Sequence, residues 1–93
     1  TRILLEEAIA ALGQAMIALE RAPDTAPSEA LTRANGIALY LARSVGPDNP
    51  MREALVQFYG GLAEVIGRNM REVSYAEIAQ ARADFADVLG VLG

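Results

Sequence analysis

Apolar residues recur along this chain at helical spacing in four successive stretches, and nowhere do they alternate with the period of two that a half-buried strand requires. The first stretch, about residues 2–22, places Leu5, Ala8, Ile9, Leu12, Met16 and Leu19 on one face. The second, 27–44, carries Leu31, Ala34, Ile37 with Ala38, and Leu41, and the period runs on to Val45. The third, 50–72, carries Leu55, Phe58, Leu62, Val65 with Ile66, and Asn69, and Val73 follows at the same spacing. The fourth, 75–92, carries Ile78, Ala81, Phe85, Val88 with Leu89, and Leu92. Short connections make successive helices antiparallel neighbours. The pattern therefore predicts an all-α, antiparallel up-down four-helix bundle, with residues 1–93 forming a single helical-bundle domain.

The breaks between stretches carry helix-end chemistry. Thr1 can cap the first helix, and Glu6 and Glu7 lie early in it, where the helix dipole favours anions. Pro27 suits a first turn, with Asp24 or Ser28 as the capping side chain. In the segment Gly46 to Pro50, Gly46 fits the position after a helix end, and Asn49 before Pro50 reads as a cap followed by a first helical residue. Ser74 and Glu77 form a capping box, S-x-x-E, opening the last helix. Gly36 costs a helix interior about 1 kcal/mol relative to alanine, or marks a close crossing. Gly60 and Gly61 weaken the third helix, and permit a kink or the close approach of a neighbour or ligand.

Composition narrows the function. Hydrophobic residues make up 53% of 93, more than so small a domain can hide, even though much of that share is alanine. Ile3, Leu4, Ala10, Ala11, Ile17 and Ala18 make the first helix apolar nearly all round, so it is expected to be central or covered by something outside the chain. An exposed apolar surface of this kind points to a protein partner. The net charge is −4 and the arginines are scattered singly, a pattern that suits neither a phosphate backbone nor an anionic membrane surface.

The chain has no Cys and no His. It therefore carries no disulfide framework, no thiolate or imidazole metal site and no histidine-based triad, and neither metal nor cofactor is expected. Ser28, Ser44 and Ser74 read as helix-end residues. One enzyme class needs neither histidine nor cysteine: a small helical chorismate mutase, holding a dicarboxylate between cations such as Arg2, Arg43, Arg52 and Arg68. Each of those arginines falls beside an apolar stripe, where exposure is the default, so no enzyme is expected. The chain opens on Thr1, as a processed or trimmed chain would, and no apolar run is long enough for a bilayer; a cytoplasmic location is expected.

With the helices placed, the sequence resembles the flagellar export chaperones of the FliS type. Their first bundle helix carries a pattern close to L-Y-[ED]-G-A-I-x-x-L-x-Q-A; here the stretch reads Leu4-Leu5-Glu6-Glu7-Ala8-Ile9, then Leu12 and Gln14-Ala15. Ala34, Ile37, Tyr40 or Leu41, and Ser44 resemble the family's A-x-x-I-x-x-L-x-x-S, and Leu62, Val65-Ile66 and Asn69-Met70-Arg71 resemble its aliphatic run into A-N-x-[KR]. Leu5 stands where the family usually has Tyr, Glu7 where it has Gly, and no Trp closes the last helix, so the likeness is to a divergent member.

The resemblance implies a cytoplasmic chaperone that holds the disordered C-terminal segment of flagellin, or of a related type III secreted protein, in apolar grooves until export. Recognition of that kind is helix-in-groove docking coupled to folding. The client-binding candidates are Ile37, Tyr40, Phe58, Tyr59 and Leu62; Phe58 and Leu62 lie on the main stripe, whereas Tyr40 and Tyr59 lie off it and are expected exposed. The alternative is a homodimeric structural or regulatory helical module, which would bury the same tyrosine faces against a second copy.

Overall fold

The computed structural model describes residues 1–92 and contains four helices: α1 (Arg2–Arg21), α2 (Ser28–Ser44), α3 (Arg52–Arg68) and α4 (Tyr75–Leu92). Cross-helix hydrogen bonds fix their directions. Tyr75 at the start of α4 donates to Glu20 at the end of α1 (3.1 Å), while Arg82 Nε, two turns on, reaches Ile9 O (3.3 Å). Asn35 Nδ2 in α2 donates to Ala63 O in α3 (2.7 Å). The helices thus run up-down-up-down, and α4 closes the ring against α1. The expected all-α four-helix bundle is the observed fold.

The predicted stripes supply the interior. Leu5, Leu12, Leu31, Ile66, Ile78 and Phe85 are almost wholly out of solvent, with Ala8, Ala15, Ala34 and Ala38 between them. Small alanines at these positions let helix axes approach closely, and dispersion and water exclusion then act on every atom of the interface. Two glycines lie against neighbours. A Cβ at Gly13 would sit 3.3 Å from Arg82 Nε, and one at Gly67 would sit 3.5 Å from Asn35 Nδ2. Gly36, Gly60 and Gly61 instead face open space, and α3 runs through its glycine pair without interruption. Of the options offered by Gly36 and the glycine pair, close approach by a neighbour is therefore not found, and only Gly13 would crowd a neighbour, the Arg82 side chain, if it carried a Cβ.

Helix ends depart from the sequence reading in four places, the first being Thr1, which precedes α1 but makes no side-chain capping bond. α2 begins after Pro27, which has no side-chain acceptor, and neither Asp24 nor Ser28 caps it; Ser28 Oγ lies 3.4 Å from Ala26 O. Asn49 does not cap α3: its Oδ1 accepts the Met51 N–H at 2.8 Å within a turn formed by Pro50 and Met51, and α3 starts at Arg52 with no side-chain capping bond. α3 also stops at Arg68, short of the expected residue 72, because the chain tightens into turns bonded Met70 N to Gly67 O and Arg71 N to Arg68 O (3.2 and 3.0 Å).

Asn69 organises that stop. It is fully buried, and its Nδ2 donates to Val65 O (2.8 Å) and to Glu77 Oε1 (3.0 Å), while its Oδ1 accepts the Ser74 N–H (2.6 Å). Glu77 N–H is capped by Ser74 Oγ at 3.2 Å, as the box predicts. The Glu77 carboxylate does not return to the Ser74 N–H; it takes Asn69 and Arg68 instead, the latter at 3.0 Å. Five residues thus clamp α3 to α4 at one end. Elsewhere this pair touches far less than the other neighbours do.

Asn69→Ala strands the Ser74 N–H and should destabilise the fold by about 1–3 kcal/mol. Gly60→Ala and Gly61→Ala fill open space on a continuous helix and should each stabilise it by about 0.5–1 kcal/mol. Urea unfolding of the three variants measures both signs. A stabilised Asn69→Ala or two destabilised alanine variants would contradict this account.

Candidate protein-binding surface

Large apolar residues left in solvent are not spread evenly. Ile3, Leu39, Tyr40, Met51, Val91 and Leu92 all belong to the end of the bundle where α1 and α3 begin and α2 and α4 finish. Val91 is 86% exposed and Ile3 76%. At the clamped end only Ile17 and Tyr75 stand out similarly, and the Tyr75 hydroxyl is engaged by Glu20. α1 is not central: it lies between α2 and α4, and its outward Ile3 and Ile17 remain uncovered.

The asymmetry goes with the limited contact between α3 and α4, which are joined at the Asn69 clamp and touch less than the other neighbouring pairs. The buried residues of α4 end at Phe85; Val88 and Leu89 are half-buried and the last turn is exposed. On α3, Leu55 is half-buried, whereas Leu62 and Ile66 are covered. At this end, among α2, the loop after it, α3 and α4, opens a mouth of about 520 Å³, walled by Leu41, Val45, Leu55, Tyr59 and Val88 and rimmed by Met51, Val91 and Leu92. Its polar contributors are Thr1, Ser44, Asn49 and the Tyr59 hydroxyl, and no charged side chain lines it. The volume falls within the range of about 300–1,000 Å³ typical of ligand clefts. Arg2, Arg43, Arg52 and Arg68, the cations a mutase-type site would draw on, do not line it.

The five client-binding candidates separate in this geometry. Tyr40 is exposed as expected, on the α2 flank of the open end. Phe58 is half-buried, with its ring edge-on to Tyr59 at 5.5 Å. Ile37 and Leu62 are buried, one or more turns deeper. Tyr59 corrects the sequence reading: it is 4% exposed. Leu55, Tyr59, Leu62, Ile66 and Asn69 also repeat at spacings of four and three, and this line, rather than the one through Phe58, faces inward. Tyr59 lines the mouth nonetheless.

Sequence reasoning missed the mouth because Val88 and Leu92 read as ordinary stripe and Met51 as an early residue of the third helix. The available signal was an apolar final turn, Val91 and Leu92, in a helix with no basic residue at its end. Among the described residues no helix is long and apolar enough to cross a membrane. No family model, curated protein or solved structure matches this chain.

Burial pushes the Tyr59 phenol above its ordinary value of 10.0, because the phenolate loses hydration in an apolar wall. The folded state then holds a proton that the unfolded chain releases. This contribution is complete below about pH 10 and is lost as pH rises through the raised value. Tyr59→Phe should therefore flatten the alkaline decline in stability, measured by urea unfolding between pH 9 and 11 (an interval set by the reference tyrosine value of about 10). An identical decline in the variant would show that this phenol is not desolvated.

Proposed function

We propose that this chain is an export chaperone that acts in the cytoplasm, holding a disordered, amphipathic segment of a secreted filament protein through its open apolar end. The client of choice is the C-terminal segment of flagellin, on the resemblance of α1, α2 and the end of α3 to the FliS-type chaperones. The observation that carries the reading is the gathering of Ile3, Leu39, Tyr40, Met51, Val91 and Leu92 around an uncharged mouth at one end of the bundle. An apolar surface concentrated in this way is what a protein partner requires.

Binding of this kind orders a flexible chain, so it needs a large apolar contact to offset the lost entropy. The mouth gives anchors a place to insert, and Tyr40 and Leu39 extend the surface along α2. Of the sequence candidates, Tyr40, Phe58 and Tyr59 are the ones this reading places in contact with client; Ile37 and Leu62 support them from below.

A second reading is homodimerisation through the same end, favoured by the exposure of Met51, Val91 and Leu92 around the rim. Isothermal calorimetry with the C-terminal segment of the host's flagellin decides the first. The expected result is saturable binding with negative heat-capacity change. No heat at tens of micromolar (about the weak limit for a micromolar-class complex), with a cooperatively folded sample, would sink it. Sedimentation at several concentrations tests the second: a chain that stays monomeric when concentrated is not a dimer module.

A further inference from the structure

The chain holds three asparagines, and only Asn35 is followed by a glycine. Asn49 precedes Pro50, which has no N–H, and Asn69 precedes Met70. An asparagine side-chain amide is open to attack by the backbone nitrogen of the next residue. Glycine offers that nitrogen with the least hindrance, because it has no Cβ.

The fold accounts for Asn35 but not for Gly36. Asn35 is half-buried in α2, and its Nδ2 donates to Ala63 O of α3 at 2.7 Å; a Cβ on Gly67 would touch the same nitrogen at 3.5 Å. Gly36 lies on the exposed side of α2, where a Cβ would meet nothing, and its φ is not positive. Neither packing nor backbone conformation asks for glycine there, and it weakens the helix relative to alanine.

While α2 is closed the two groups cannot react. The Gly36 N–H is committed to the Thr32 carbonyl by the helical bond, and the Asn35 amide is held toward α3. Both restraints lapse together when α2 opens. The helix starts without a side-chain cap, since Pro27 supplies none, and uncapped ends open most readily.

We propose that Asn35–Gly36 is a self-modification site, held shut by the fold and released when α2 opens. The Gly36 nitrogen forms a bond to Asn35 Cγ, the Cγ–Nδ2 bond breaks, and ammonia departs with the Gly36 proton. Water then opens the cyclic imide, leaving aspartate or isoaspartate at position 35; no oxidant or enzyme is required. Neither product can donate to Ala63 O. Aspartate sets a carboxylate against that carbonyl, and isoaspartate also lengthens the backbone of α2. Every opening that reacts is therefore recorded permanently as a lost tie between α2 and α3. No step involves a client, so the site stands apart from the chaperone reading.

Native protein and protein in urea, held side by side in mildly alkaline buffer, are compared by mass spectrometry of the tryptic peptide Ala34–Arg43. The unfolded chain should convert Asn35 at least about tenfold faster, the ratio set by an opening that costs about 1.4 kcal/mol. Gly36→Ala should slow the unfolded chain at position 35 to the rate of Asn69. Asn35→Asp, which carries one of the two products, should unfold at lower urea than the parent. Equal rates in native and unfolded protein overturn the gating by the fold. An unfolded chain whose Asn69 reacts as fast as Asn35 overturns the site. An Asn35→Asp variant as stable as the parent overturns the lost tie; one that does not fold supports it, and the two rates still decide the site.

Discussion

Asn69 stands on the core line of α3, out of solvent, and both helices that meet there depend on how its amide is satisfied. Its carbonyl takes the Ser74 N–H that would otherwise be stranded at the start of α4, and its amide hydrogens hold a helix carbonyl and the Glu77 carboxylate. A buried amide left half-satisfied would be a strong penalty; satisfied, it accepts only one relative placement of α3 and α4. An apolar residue at this position would pack but would not select a register. The clamp therefore does for this bundle what shape alone cannot, and beyond it α3 and α4 make little contact.

The placement of the surplus apolar residues goes with that limited contact. A chain this short cannot cover every large aliphatic side chain, and the uncovered ones could have been scattered singly. Here they gather at one end of the bundle: Leu55 and Val88 on the inside, Met51, Val91 and Leu92 on the lip. The apolar character of α1 is resolved differently. Leu5, Ala8, Leu12 and Leu19 are buried between α2 and α4, while Ile3 and Ile17 simply remain in water. Hydrophobicity all round a helix did not make it central.

Much of the fold could be read from residues 1–92 because it rests on local chemistry. The stripes of α1, α2 and α4 and the Ser74 cap of α4 all depend on residues within a turn or two of each other. What could not be read depends on tertiary geometry. Leu55, Leu62 and Ile66 fit either of two lines through α3, and whether Phe58 or Tyr59 completes the inward one is decided by α2 and α4, not by α3. The end of α3 was misplaced because Asn69 has the spacing of a core residue but the chemistry of a cap. The mouth was invisible for a related reason: Val88 is stripe in any single-helix view, and only the packing of its neighbours leaves it half-covered.

The polarity of the exposed surface also governs how copies of the chain meet in a crowded solution. Filaments grow when a patch finds a different, complementary patch on the next molecule, so that every addition leaves a new one free. Here the apolar lip lies at one pole, and the opposite pole presents Arg68, Glu77 and the Tyr75–Glu20 pair. Contact through the lip consumes it on both molecules. Self-association through the lip then terminates instead of propagating.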